Sequence, residues 1–224
     1  MISRLRRDGI VGAGVMDVVP IVEHLSRCKR WNNHVKQDGV EPVPDPSSTC
    51  WSMEDAVNAP GLLEKACLFL PVVEEYLGAP PLMYSVNAFT TYPRSGPTQV
   101  DIQEFHRDED DARFLALFVY LSDVWTQAEG PHEYCEGTQD GGPQTVFPAR
   151  AILGQAGTMF LADTRGLHRG VRPTSDPRTV AWVRWGVSDP PKSYVWDKLA
   201  PVPLTGDRRF TQRQLETMRL VVKP

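Results

Sequence analysis

Eight consecutive residues, Phe114-Leu-Ala-Leu-Phe-Val-Tyr-Leu121, constrain this chain more than any other stretch. A half-exposed strand alternates apolar with polar side chains. A short run that is apolar throughout fits a strand buried on both faces. Leu82 to Thr91, Gly157 to Ala162, Leu167 to Val171 and Thr179 to Val187 read as further strands, with a short one from His132 to Cys135. Helical spacing precedes them and short strands with long loops follow. That order predicts a mainly β fold with flanking helices: a double-stranded β-helix, the cupin-like jelly roll, with helices over one sheet.

The chemistry-bearing residues gather at the ends of these strands. Successive residues of a strand point to opposite faces. A strand running from Gln99 into His106 and Asp108 puts an imidazole and a carboxylate on one side and sends Arg107 to the other. His168 follows the Gly157–Asp163 run and supplies a second imidazole. Two His and one carboxylate leave positions open on a metal, the ligand pattern of non-haem Fe(II) oxygenases. Arg178 comes ten residues after His168. Its planar guanidinium suits a two-point grip on a carboxylate such as that of 2-oxoglutarate. His-x-Asp alone is a weak motif, and a lone strand His is ordinarily a packing or surface residue. The register of all four residues against the strands is what favours a metal site.

Read in order, His106-Arg-Asp-Glu-Asp-Asp111, Phe114 to Asp123, Gly130-Pro-His132, Gly157, His168 and Arg178 resemble the phytanoyl-CoA dioxygenase family of Fe(II)/2-oxoglutarate oxygenases. Leu5-Arg-Arg-Asp-Gly-Ile10 resembles the opening segment of that family. The resemblance runs from about Leu5 to Val187. It implies His106, Asp108 and His168 as iron ligands, Arg178 as the 2-oxoglutarate anchor, O2 as oxidant, and hydroxylation or a related desaturation of a small molecule with release of succinate and CO2. Relatives that transfer chloride have a small residue where Asp108 stands. Two departures concern other contacts. Glu136-Gly137-Thr138-Gln139 replaces the Pro-Gly-Ser-His-like stretch, and Gly170 stands where relatives often have a small hydroxyl residue.

By alternation Arg178, Val180, Trp182 and Arg184 share a face. Trp182 and Arg184 are therefore candidates for lining the site near the co-substrate, and Arg184 reads equally as pointing outward at a strand end. Asn87 and Phe118 are weaker candidates for the pocket wall. His132 can imitate a metal ligand, but its place after the Gly130-Pro131 turn argues against that role. Two rival readings stay open: a cupin-like metal enzyme that does not use 2-oxoglutarate, and a non-catalytic metal- or ligand-binding jelly roll. A structural zinc site would call for four protein ligands, which this pattern does not supply.

Length suits one domain over residues 1–224: a helical part from about 16 to 78, a jelly-roll core from about 81 to 188, and a tail from 189. A net charge of −4 without a basic run argues against a nucleic-acid partner. No apolar stretch reaches membrane-spanning length. Cys28, Cys50, Cys67 and Cys135 match no zinc module, and their small number suggests a reduced, cytoplasmic protein. The glycines at 9, 12 and 14 lack the spacing of a dinucleotide fingerprint.

Along the chain the pattern predicts a strand from Gly9 to Val15, then a helix from Val18 to Trp31 capped by Asp17. Helical pattern returns over Met53–Asn58 and Pro60–Leu77, the latter dividing near Leu70 and stopping at Gly78. His24 and His34 read as packing or surface residues. Pro42 to Ser48, Tyr92 to Pro97 and Gly137 to Pro148 read as loops. Glu109, Asp110 and Asp111 read as a solvated rim. Arg4, Arg6, Arg7 and Lys29 are the residues able to assemble a phosphate-binding patch for a CoA ester, although the chain's shortness favours a small, carrier-free substrate. The tail, with a helix from Thr211 to Val221, reads as packing or as contact with a second subunit in a homodimer.

Overall fold

The computed structural model describes residues 1–32, 48–93, 103–141 and 148–223. His34, the proline loop up to Ser47, Arg94 to Pro97, the predicted strand residues Gln99 to Ile102, and residues 142–147 lie outside the described residues.

The chain opens with α1 (Ile2–Asp8), which ends at a left-handed Gly9, and β1 (Ile10–Val15). Next comes α2 (Val19–Ser26), shorter than the predicted helix to Trp31. Asp17 lies just outside the cap position, and its carboxylate accepts from Val19 N at 3.0 Å. Tertiary contact sets the other end. The Trp51 indole donates to the Leu25 carbonyl at 2.7 Å, and Trp31–Asn32 forms β2 against β3 (Ser48–Cys50). Ser52 caps α3 (Met53–Val57) through a capping box. The Pro60–Leu77 pattern is two helices, α4 (Leu62–Cys67) and α5 (Leu70–Leu77), with Pro71 in the first turn of α5 and left-handed Gly78 after it.

Seven strands follow: β4 (Leu82–Thr91), β5 (Phe114–Tyr120), β6 (His132–Tyr134), β7 (Arg150–Ile152), β8 (Thr158–Ala162), β9 (His168–Gly170) and β10 (Arg178–Gly186). The tail adds α6 (Lys192–Trp196), β11 (Val202–Pro203), α7 (Gln212–Thr217) and β12 (Val222–Lys223). The long strand predicted to end at Asp108 is not present among the described residues. Between Gln103 and Asp108 only His106 forms a β-bridge, isolated and antiparallel to His168. Two hydrogen bonds make that bridge, His106 N to His168 O at 2.9 Å and His168 N to His106 O at 3.0 Å.

Among the described residues one sheet runs β1-β8-β5-β10-β4-β3-β2, a second runs β7-β6-β9, and β11 pairs with β12. Both larger sheets are antiparallel throughout. β5 is buried along its whole length, and its alternation explains why. Leu115, Leu117 and Val119 join the core formed with α4 and α5, including Leu62, Leu63, Ala66, Leu70 and Val73. Ala116, Phe118 and Tyr120 join a second core with Phe89, Phe160, Tyr134 and Val180. The strand therefore divides a helix-covered layer from the interior of the barrel. Each buried Leu or Phe side chain contributes about 1.5–3 kcal/mol, so β5 anchors both layers.

The tail packs onto the helical layer. Met218, Val221 and Val222 are core residues, and Arg208 donates to both Glu64 oxygens at 2.7 Å. Among the described residues no helix is long and apolar enough to cross a membrane.

Candidate metal centre

The site grows from the His106–His168 bridge. That pairing brings two imidazoles to one spot, with ring centroids 4.3 Å apart. Asp108 N donates to Thr164 O at 2.9 Å and carries the pairing two residues further. The Asp108 carboxylate then lies between the rings, Oδ1 3.6 Å from His106 Nε2 and Oδ2 3.8 Å from His168 Nε2. One ligand atom from each of the three residues falls within 4.8 Å of the others. Arg107 leaves the opposite way, and its Nη1 donates to the carbonyls of Thr138 and Arg165.

Both imidazoles are oriented by the backbone. His106 Nδ1 lies 2.9 Å from Glu104 O, and His168 Nδ1 lies 2.9 Å from Gly166 O. A carbonyl only accepts, so each Nδ1 carries a hydrogen and each Nε2 is the nitrogen turned toward Asp108. Burial pulls His168 down to about 4 against the attraction of Asp108, which leaves a neutral imidazole at neutral pH. Burial alone would raise Asp108. The Arg184 guanidinium and the two imidazoles outweigh it and hold the carboxyl below its usual value. Two imidazole nitrogens and one carboxylate form a donor set suited to a divalent first-row metal with open positions.

Arg184 sits beside the triad. Its Nη2 donates to Asp108 Oδ2 at 3.2 Å, its Nη1 to Asp110 Oδ2 at 2.6 Å, and its guanidinium stacks on Trp182 at 4.9 Å. A carboxylate has about four lone-pair directions, so Asp108 retains lone pairs for a metal. The partners of Arg184 are thus protein carboxylates, which sequence alternation does not reveal. Asp110 also accepts from Tyr84 OH at 2.6 Å. It is buried, in contrast to the solvated rim expected for this acidic run, and of the three only Glu109 is exposed.

Asp111 accepts from Val187 N at 2.6 Å and Ser188 N at 2.8 Å, tying down the end of β10. Burial opposes ionisation there, but these donors hold its carboxyl below the ordinary 3.8. A depressed folded value means the stabilisation is full above the unfolded value and is lost as pH falls below it. Asp111→Asn is therefore expected to cost about 1–2 kcal/mol at pH 7. The gap from wild type should narrow as pH falls below 3.8, as read by urea unfolding at pH 7 and at successively lower pH.

Arg178 opens β10, about where the loop after His168 predicted the next strand. It is buried, and among the described residues no carboxylate pairs with it. Burial lowers its affinity for the proton, with only Tyr120 pulling the other way. Nη1 donates to Gly130 O and lies 3.5 Å from Val171 O, while Nε has no partner. Glycines shape this cage. Gly130 is left-handed at φ 71°, and a Cβ there would meet Pro173 N at 2.7 Å. A Cβ on Gly170 would lie 2.8 Å from Arg178 Nη2. A buried guanidinium with free donors and no counter-ion is costly unless an anion joins it.

The barrel wall between these groups is aromatic. Asn87, Trp182 and Phe118 are cross-strand neighbours on β4, β10 and β5, with Phe160 next on β8. Phe118 stacks on Phe160 at 5.0 Å and meets the edge of Trp182 at 6.2 Å. Asn87 Oδ1 and Trp182 Nε1 are buried without partners. Trp182 and Arg184, and the weaker candidates Asn87 and Phe118, thus lie on the inner face of the sheet. A cleft of about 550 Å³ bordered by Asp108, Glu109, Arg165, Ser188 and Lys192 touches the triad at Asp108.

Sequence reasoning set His132 aside as a metal ligand and did not weigh it as a pocket residue. It is buried on β6, its ring 5.4 Å from His168, 5.0 Å from Phe118 and 5.1 Å from Phe160. Alternation held the signal. Glu133 pairs outward with Arg169 at 2.8 Å, which leaves His132 and Tyr134 facing inward. Of the basic residues considered for a CoA phosphate, Arg4 and Arg7 border one pocket, which they share with Asp8, Glu136 and Arg150. Arg6 turns to Glu75, Arg7 to Asp8, and Lys29 lies over Trp31. His24 packs against the Asp55 carbonyl at 3.0 Å.

No family model matches the chain, and no curated protein matches it. Solved structures do. HygX from Streptomyces hygroscopicus with nickel and 2-oxoglutarate bound superposes with a TM-score of 0.59 at 13% identity, over 83% of this chain and 85% of that one. The likeness shows the fold, a double-stranded β-helix. The nickel complex of the non-heme monooxygenase ThoJ gives 0.56 at 20% identity, covering 82% and 76%. The non-heme alpha ketoglutarate dependent carbocyclase SnoK from nogalamycin biosynthesis gives 0.56 at 18%, covering 82% and 81%.

Proposed function

We propose that the chain acts as a single-domain Fe(II)- and 2-oxoglutarate-dependent dioxygenase of the phytanoyl-CoA dioxygenase type, hydroxylating a small molecule. His106, Asp108 and His168 hold the iron, and Arg178 takes the far carboxylate of 2-oxoglutarate. The observation that carries this reading is the buried Arg178 guanidinium, without a carboxylate partner among the described residues, in the same barrel as a two-His, one-Asp cluster. A metal site of purely structural use, or one that binds no keto acid, gives Arg178 no anion to offset its burial. Support for a small-molecule substrate comes from the HygX structure that also contains hygromycin B.

When bound, a ferrous ion with open positions supplies O2 activation, coupled to conversion of 2-oxoglutarate to succinate and CO2. The protein's own groups do the rest. The Glu104 and Gly166 carbonyls fix which nitrogen of each imidazole faces the metal. Arg184 keeps Asp108 ionised in a site that burial would otherwise neutralise. Arg178 orients the co-substrate by charge and by two-point hydrogen bonding. Phe118, Phe160 and Trp182 form a wall that excludes water beside it, and Asn87 Oδ1 and the Trp182 indole offer an acceptor and a donor to bound ligands.

The test is release of succinate from 2-oxoglutarate by Fe(II)-loaded protein under air, across a panel of small polar substrates. Succinate that requires both Fe(II) and protein is expected. Its absence across the panel, with folded and metal-loaded protein, contradicts the assignment.

A further inference from the structure

We infer that His132 is a second protein donor to the co-substrate, acting with Arg178 to position it; the inference rests on the function proposed above. His132 sits between the two ends of the site. Its ring lies 5.4 Å from that of His168, nearly parallel at 21°. Its backbone is two residues from Gly130, whose carbonyl accepts from Arg178. Its cross-strand partner on β9 is Gly170, against which the Arg178 Nη2 group lies. A side chain at position 170 would compete for the space between His132 and Arg178, and glycine leaves it clear.

The ring is fixed in place. Phe118 and Phe160 pack on it, and Tyr120 OH accepts from the His132 backbone N at 2.9 Å. His132 is 7% exposed, yet its Nε2 has no hydrogen-bond partner among the described residues. A buried ring nitrogen without a partner is costly, and among the described residues no group relieves it. His132 is not part of the cluster whose ligand atoms lie within 4.8 Å of one another. That separates it from the metal-binding set and points its free nitrogen to something bound alongside. A molecule spanning from the triad to Arg178 passes this nitrogen, and Nε2–H donation to one of its carboxylate oxygens satisfies both partners.

The test compares His132→Phe, which keeps the aromatic packing, with His132→Gln, which restores a donor. Anaerobic Fe(II)-loaded protein is titrated with 2-oxoglutarate, and affinity is read from the charge-transfer absorbance; Fe(II) affinity is measured separately. Loss of a hydrogen bond to a charged group is expected to weaken 2-oxoglutarate binding by about ten- to a hundred-fold in His132→Phe. Fe(II) affinity should stay within about two-fold, and His132→Gln should recover part of the loss. Unchanged 2-oxoglutarate affinity in His132→Phe overturns the inference. So does a fall in Fe(II) affinity alone, which would make His132 a metal ligand. If the unmutated protein develops no absorbance with 2-oxoglutarate, the proposed function itself falls and the inference with it; a failure confined to the His132 variants leaves that function standing.

Discussion

Asp108→Ala is expected to abolish succinate formation and to weaken Fe(II) binding by more than about a hundred-fold. Removing an outer-shell partner of a metal ligand typically costs 10–100-fold, and loss of a ligand costs more. The carboxylate is the one anionic group in the cluster, between His106 Nε2 at 3.6 Å and His168 Nε2 at 3.8 Å. The fold should survive the change, because Arg184 keeps its 2.6 Å bond to Asp110, which is itself held by Tyr84. Metal content of purified protein reconstituted with Fe(II), together with circular dichroism, checks both halves. Turnover with 2-oxoglutarate in this variant would show that the ligand assignment is wrong.

Arg178→Leu is expected to leave Fe(II) binding intact while raising the 2-oxoglutarate requirement by about a hundred- to a thousand-fold, equivalent to about 3–4 kcal/mol for a buried charged pair. Arg178→Lys should fall between, since an ammonium keeps the charge but loses the planar two-point geometry. The apo-protein carries a further expectation. The guanidinium is buried without a counter-ion among the described residues, so replacing it removes a desolvation cost. Arg178→Leu should therefore unfold no earlier than wild type when both lack ligands. Addition of Fe(II) and 2-oxoglutarate should then raise the melting temperature of wild type further than that of the variant. A variant that binds 2-oxoglutarate as tightly as wild type would remove Arg178 from the site.

Much of this arrangement was legible in the sequence where local pattern and tertiary demand agree. β4 and β5 follow their patterns closely because apolar side chains such as Val86, Phe89, Leu117 and Phe118 each meet one of two cores. The break between α4 and α5 was legible at Pro71, and the stop at Gly78, because these residues restrict the backbone whatever surrounds them. The segment before Asp108 was not. His106 and Asp108 share a side through pairing with the Thr164–His168 segment rather than through a long strand of their own. α2 stops at Ser26 because Trp51 takes the Leu25 carbonyl, a partner 26 residues away that periodicity does not register. Charge misled in the acidic run. Asp110 is buried because Tyr84 and Arg184 converge on it, and Asp111 is half-buried under backbone donors from 187 and 188. Short elements such as β7 and β11 exist only by pairing and leave no periodic trace.

The central claim is that one cavity holds both a ferrous ion and a keto acid on this protein's own side chains. Anaerobic protein loaded with Fe(II) and then titrated with 2-oxoglutarate tests it most directly. A metal-to-ligand charge-transfer band that saturates at one equivalent, and is absent from Asp108→Ala at the same concentrations, is the result expected. Stoichiometric Fe(II) binding with no such band at saturating 2-oxoglutarate would contradict the account.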